Sequence, residues 1–414
     1  MDNITLKDVK RFDTARKIKY APWYLRLVTW IISFPAVWLQ PSKIEKENME
    51  NLEGGYLLLC NHNSFYDFMV ATAAIFPKRA NYVVAIDGFI KIEWLLRAVG
   101  GICKRKFAND ITLVKQLVKV AKDGEIIALY PEARYSLCGT NSVLPDSLGK
   151  LIKLLNVPVV TLITKGHHIN SPFWNLRKRG IPTQAHMKYI LSKEDLKKMT
   201  LDEINEIVDK EFAYDDFKWQ LDNKVEVKFK KRAEGLHSVL YQCPNCMTEY
   251  KMASKEDKIF CKHCNKKWQM TKYGQLEALE GETEFSHVPS WYEWQRKNVR
   301  AEVDEGKYSF EREVVIRSLP NSKGFIPLGK GYLIHNMEGF VLTGTSNGLP
   351  FEIKWPAKTL YSCHIEYNYL GKYGDCVDLN TLNDTLYTYP QGEDFSVTKI
   401  SLATEELFKK LNGK

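Results

Sequence analysis

Two cysteine knuckles constrain this chain more than any other feature. Cys243-Pro-Asn-Cys246 and Cys261-Lys-His-Cys264 are separated by 14 residues, a shade under the roughly 15–20 usual for paired knuckles. Four thiolates suit tetrahedral Zn2+, and a closed set of four leaves no position open for catalysis. A structural zinc ribbon is therefore expected over residues 240–275, held together by its metal because so short a segment has little core of its own. His263 lies inside the second knuckle and is expected to be a neighbour, not a ligand. Cys60, Cys103, Cys138, Cys363 and Cys376 have no matched spacing and read as core thiols. That usage fits a reducing compartment and not a disulfide scaffold.

The knuckles also divide the texture of the chain. Before them, residues 46–235 alternate strand-like and helix-like segments, which predicts an α/β layer structure. Buried strands are expected at 56–60, 81–86, 125–130 and 158–163. A helix is expected over 110–123, stopped by Asp123-Gly124. After them, residues 285–414 open with a helix at Pro289-Ser-Trp291-Tyr-Glu-Trp294, whose two tryptophans share a face. Short Val/Ile/Tyr/Thr-rich runs punctuated by Gly and Asn follow from about 308 to 389 and predict antiparallel β structure. A last helix is expected at 403–411. The order of β runs and closing helix resembles a pleckstrin-homology-like barrel in architecture only.

Ahead of the α/β region, residues 1–45 predict basic and apolar membrane-associated helices. Lys7, Lys10, Arg11, Arg16, Lys17 and Lys19 precede the apolar run Trp23–Leu39, which carries Arg26 and is interrupted by Pro35. The run is shorter than the roughly 20 apolar residues a comfortable span needs. A bent helix in the membrane interface suits it better, with Trp23, Trp30 and Trp38 near the headgroups and the cations on anionic lipid. No signal-peptide pattern precedes it. The net charge of +9 admits acidic lipid, phosphorylated substrates, an acidic carrier protein or nucleic acid, and composition does not choose among them. Hydrophobic residues at 44% and charged residues at 26% exclude a disordered tail, a collagen-like fibre and a bundle of membrane spans.

The sharpest chemical constellation is Asn61-His62-Asn-Ser64-Phe-Tyr-Asp67, directly after the first strand. Five residues turn about 140° past a full revolution, so His62 and Asp67 cannot pair along one straight helix. They can meet if His62 lies in the loop and Asp67 in the first helical turn, with Ser64 and Asp67 as a capping box. The carboxylate would then fix one imidazole nitrogen and free the other to take a proton from a hydroxyl. Equally, the segment is only a helix cap beside an ordinary loop histidine, and spacing alone does not choose. Two further motifs end other segments: Gly100-Gly-Ile-Cys-Lys104-Arg105-Lys106, and Pro131-Glu132-Ala-Arg134-Tyr-Ser136. Strand ends are where open α/β sheets assemble sites. His167-His168 reads as structural and not as a second base.

In this order the segments resemble the four blocks of the glycerolipid acyltransferase family, typified by lysophosphatidate (1-acylglycerol-3-phosphate) acyltransferases, over roughly residues 20–200. The resemblance implies an α/β acyltransferase domain on the cytoplasmic face of a membrane, preceded by interfacial helices. It implies His62 as general base and Asp67 as its orienting carboxylate. Acyl-CoA or acyl carrier protein would be the donor, and a lysophospholipid hydroxyl the acceptor, most directly lysophosphatidate to phosphatidate. Ser64 matches the first block, Glu132 the glutamate that helps hold the acceptor's glycerol, and Pro158 the block that shapes the acyl pocket. Arg134, Arg105 and Lys106 would supply cations to a phosphate. Two departures stand out. The family's Phe-Pro-Glu-Gly-Thr-Arg-Ser is Tyr-Pro-Glu-Ala-Arg-Tyr-Ser here, and the acidic-then-Arg ending of the second block is Arg105-Lys106. They leave open a different lysolipid acceptor, or a catalytically degenerate scaffold working through the ribbon and barrel. The lysines around the knuckles permit nucleic acid, which suits the chain as a whole least.

Overall fold

The computed structural model describes residues 9–40, 42–50, 52–346 and 348–413; Lys7 and the rest of 1–8 lie outside the described residues. These residues form two compact units. One comprises Asp13–Lys104 and Asp110–Lys228. The other runs from Phe229 onward and takes in residues 9–12 and Arg105–Asn109.

The first unit is built on a seven-stranded sheet of β1 (Ser42–Glu47), β2 (Leu57–Cys60), β3 (Ala80–Ala85), β4 (Ile102–Lys104), β5 (Ile126–Leu129), β6 (Val159–Lys165) and β7 (Thr183–Leu191). Their order is β1-β7-β6-β2-β5-β3-β4. Every pairing is parallel except β6 with β7. The helices are α1 (Trp23–Leu39), α2 (Tyr66–Ile75), α3 (Glu93–Ala98), α4 (Ile111–Lys122), α5 (Leu148–Leu155), α6 (His167–Asn170), α7 (Lys193–Lys198), α8 (Leu201–Glu211) and α9 (Asp216–Asp222).

The run Leu57-Leu58-Leu59 makes β2 central, because an uninterrupted apolar strand must be covered on both faces. The pleat sends Leu57 and Leu59 into one core with Leu113, Leu117 and Ile152, and Leu58 and Cys60 into another with Val70 and Ala74. Helix α4 obeys its sequence signals. Asp110 caps it by accepting from the Thr112 and Leu113 N–H groups, and Gly124 follows at φ +73°.

Helix α1 coincides with the apolar run and contains Pro35. At 17 residues it is about 26 Å long, short of a hydrocarbon core of about 30 Å. No helix among the described residues is long and apolar enough to cross a membrane. One side of α1 packs on α2, where Trp30 and Phe34 meet Phe76 edge-on. Its remaining large apolar side chains stay uncovered: Trp23 is 72% exposed, Ile31 71% and Trp38 75%.

The second unit begins with a four-stranded antiparallel sheet of β8 (Met252–Lys255), β9 (Lys258–Cys261), β10 (Lys267–Met270) and β11 (Leu276–Ala278). Helix α10 (Val288–Asp304) follows, and its Trp291 is buried edge-on against Trp268 of β10. Next come β12 (Phe310–Ser318), β13 (Ile326–Asn336), β14 (Gly339–Ser346), β15 (Leu349–Pro356), β16 (His364–Glu366), β17 (Cys376–Asn380) and β18 (Thr385–Pro390). They form an antiparallel sheet in the order β15-β14-β13-β12-β18-β17-β16, closed by α11 (Val397–Leu411).

Helix α11 starts six residues before the expected position. Ser396 caps it by accepting from Lys399 N–H. Thr398, Ser401 and Thr404 obscure the apolar period yet are buried, and Thr404 returns its hydroxyl to the Ile400 carbonyl. Arg11, expected on anionic lipid, is instead paired with Asp384 at 2.6 Å in this unit.

Candidate functional site

The carboxyl ends of β2 and its neighbour β6 lie side by side, with Cys60 opposite Leu162. Two residues beyond β2 comes His62, and two beyond β6 comes His167. Both reach Asp67 in the first turn of α2. His62 Nδ1 lies 3.2 Å from Asp67 Oδ2, which also accepts the N–H groups of Asn63 at 2.6 Å and Ser64 at 2.8 Å. His167 Nδ1 lies 2.5 Å from Asp67 Oδ1. Gly166 makes that approach possible, since it holds φ +81° and a Cβ there would fall 2.5 Å from the Trp219 ring.

Asp67 is 1% exposed. Burial alone would push its carboxyl up, but hydrogen bonds from His167 and His62 outweigh that and hold it well below the usual carboxylate range. An ionised carboxylate only accepts, so both Nδ1 atoms donate and the lone pair of a neutral His62 sits on Nε2. The His62 side chain is 25% exposed, lodged between the rings of Tyr130 and Tyr135 at 4.4 and 4.3 Å. A base with a fixed tautomer, a polarising acid and a path to solvent can take a proton from a hydroxyl.

The capping box forms only by half. Asp67 takes the Ser64 N–H, but the Ser64 hydroxyl does not cap; it is buried and has no hydrogen-bond partner among the described residues. Glu132, expected on the acceptor's glycerol, is fully buried. Its Oε1 takes the His62 N–H at 3.1 Å and its Oε2 the Ser142 N–H at 2.7 Å, so it ties the loop after β2 to the loop after β5. Burial pushes its carboxyl up to about 7 against those two bonds and the nearby Arg134. Arg134 is itself buried, with Nε 3.3 Å from Ser142 Oγ. Ala133, standing where the family pattern has glycine, holds φ +56°, a left-handed conformation that costs a side chain about 1 kcal/mol.

Arg105 and Lys106 are not brought to this site. They belong to the second unit, where Arg105 donates to the carbonyls of Leu319, Pro320 and Asn383 and to Thr385 Oγ1. Lys106 Nζ lies 3.5 Å from Asp378 Oδ2. His364 is buried with Nδ1 3.0 Å from the same carboxylate oxygen. Against the cost of burial, His364 and Lys106 hold Asp378 down to about 2.

The sequence reading gave His167 no part in the site. Its signal was the strand end: β6 runs to Lys165 and not to 163, so His167 follows its strand by two residues, as His62 follows β2. The adjoining His168 is structural as expected. Burial lowers its ring to about 3, keeping it neutral, and it packs on Trp174 while Asp216 takes its N–H.

With this geometry in place, comparison with known families is decisive for one segment. Residues 43–165 match the Acyltransferase family model. That stretch is similar to the acyltransferase family. A solved structure with similarity to the chain is the 1-acyl-sn-glycerophosphate (LPA) acyltransferase PlsC from Thermotoga maritima, 18% identical, covering 46% of this chain and 79% of that one at a TM-score of 0.35. No curated protein matches the sequence.

Outside the segment that matches that family model, Cys243, Cys246, Cys261 and Cys264 bring their sulfurs within 4.8 Å of one another. Separations of 3.7 and 3.8 Å match the edge, about 3.8 Å, of a tetrahedron with metal–sulfur bonds near 2.3 Å. The turns that aim them have Met247 and Asn265 at φ +62°, each donating its N–H to the carbonyl of the first cysteine of its knuckle. The donor set fits a closed four-sulfur metal site. His263 faces Thr248. The remaining five cysteines are buried, as expected.

Two outcomes follow from these placements. Arg105→Ala strips donors from buried carbonyls, so it is expected to cost about 2–4 kcal/mol in denaturant unfolding while leaving acceptor KM unchanged. A rise in KM without a stability loss would return Arg105 to the substrate. For Glu132, the folded chain keeps a proton between about pH 4.5 and 7 that the unfolded chain has released. Its contribution to stability therefore falls as pH rises through that window. Glu132→Gln removes that slope, and unfolding at pH 5, 6 and 7 reads the difference.

Proposed function

We propose that this chain transfers an acyl group from an acyl thioester, acyl-CoA or acyl carrier protein, to the hydroxyl of a lysophospholipid, with lysophosphatidate as first acceptor. The observation that carries the reading is the His62–Asp67 pair, at 3.2 Å, inside the segment that matches the acyltransferase family. His62 Nε2 takes the acceptor's hydroxyl proton as that oxygen attacks the thioester carbonyl. The new C–O bond forms, the C–S bond breaks, and the proton passes from the imidazolium to the departing thiolate. Asp67 stabilises the imidazolium that forms in between.

Substrates of this class reside in a bilayer, and α1 supplies the approach. Its uncovered tryptophans and isoleucines lie down in the interface of the cytoplasmic leaflet, and Arg16, Lys17 and Lys19 face anionic headgroups. The seven-strand order closed by α11 supports a pleckstrin-homology-like reading of the C-terminal sheet, with a role in holding the enzyme at membrane or partner. Zn2+ is the metal assigned to the four-cysteine site, since a closed thiolate set selects it and serves structure, not catalysis.

Purified full-length protein offered lysophosphatidate and other lysolipids with each donor is expected to yield the acylated product by mass. His62→Ala is expected to slow that reaction about 10²–10⁴-fold. Unchanged turnover in the variant removes His62 as base; no turnover by the unaltered chain on any acceptor favours the scaffold reading. Elemental analysis is expected to find one zinc per chain. Cys261→Ser is expected to lose it and to melt at lower temperature, and a metal-free chain with unchanged melting would defeat the assignment.

A further inference from the structure

Asp67 carries two imidazoles, not one. An ionised carboxylate only accepts, and four donors converge on this one: Asn63 N–H, Ser64 N–H and His62 Nδ1 on Oδ2, and His167 Nδ1 on Oδ1. The two rings play unequal parts. His62 is partly open to solvent, whereas His167 is 0% exposed and its Nε2 has no hydrogen-bond partner among the described residues. A ring sealed in that way cannot exchange a proton with substrate. Its Nδ1–H is its one polar contact, and that contact is the carboxylate on which His62 depends.

We propose that His167 is a positioning residue for the His62–Asp67 pair. By occupying Oδ1 it holds the carboxylate plane so that Oδ2 meets His62. By sharing the negative charge it limits how strongly Asp67 favours the imidazolium form of its partner ring. This inference rests on His62 being the base. Other groups facing the cluster are Tyr66 against the His167 ring at 5.1 Å, Tyr130 and Tyr135 against His62, and Glu132 on the His62 N–H. Asp216 and Cys60 also act on the cluster electrostatically. None of these donates to Asp67 Oδ1, so none replaces His167.

The test compares His167→Phe, which keeps an apolar ring, with His167→Asn, whose amide N–H can take the place of Nδ1–H. In His167→Phe, kcat is expected to fall about tenfold or more, because Oδ1 is left buried without a donor. The acid limb of the pH profile of kcat/KM is expected to move up by about one pH unit. His167→Asn is expected to recover most of the rate and return the limb. A Phe variant with unaltered rate and limb overturns the proposal, as does a rate loss in both variants with no movement of the limb. Long-range 1H–15N spectra of the labelled full chain give a readout independent of turnover and of variant folding. The unaltered protein is expected to show His167 as the Nδ1–H tautomer, and an Nε2–H tautomer overturns the inference. If His62→Ala stays active, the base reading fails; if it is inactive but His62 titrates identically in the Phe variant, only the His167 inference fails.

Discussion

A carboxylate removed from water stays an anion only when donors replace the water it lost. Asp67 imposes that condition on everything around it. Two of its donors are backbone N–H groups of the loop after β2, so the loop must wrap the carboxylate. The other two are imidazoles arriving from neighbouring strands. The central position of β2, made by three consecutive leucines, is what lets one acid collect donors from its own strand end and from β6. A different strand order would leave Asp67 short of a donor and His62 without a fixed tautomer.

Around this centre the carboxylates divide the labour by burial and partners. Asp67 is over-supplied with donors and held ionised. Glu132 is equally buried, has two N–H donors, and is raised towards neutrality; it works as a tie between two loops. That tie reaches His62 through its backbone N–H, without touching the ring. Tyr135, standing where the family pattern carries arginine, places an aromatic face on the His62 imidazole.

Much of this was legible in the sequence, in patches with physical reasons. The apolar triplet of β2, the Asp110 cap, the Trp23–Leu39 run and the paired knuckles are local signals, and each sits where its local chemistry puts it. The His62–Asp67 contact was legible because both ends lie within one turn-and-helix segment. His167 was not, since its partner lies a hundred residues earlier and the clue was only where β6 stops. Arg105 and Lys106 were misread because a basic run carries no mark of what will surround it; the carbonyls that engage Arg105 lie more than two hundred residues downstream. The start of α11 was hidden by hydroxyls that tolerate burial because they are bonded, Thr398 to the Ser238 carbonyl and Thr404 to the Ile400 carbonyl.

The allocation of Arg105–Asn109 has a practical corollary for anyone dissecting this protein. The backbone leaves the acyltransferase sheet after β4, spends five residues in the company of the C-terminal strands, and comes back to begin α4. Cutting the polypeptide near residue 228 would not cleanly separate the two units. It would orphan a guanidinium shaped for a ring of carbonyls that had been left on the other fragment.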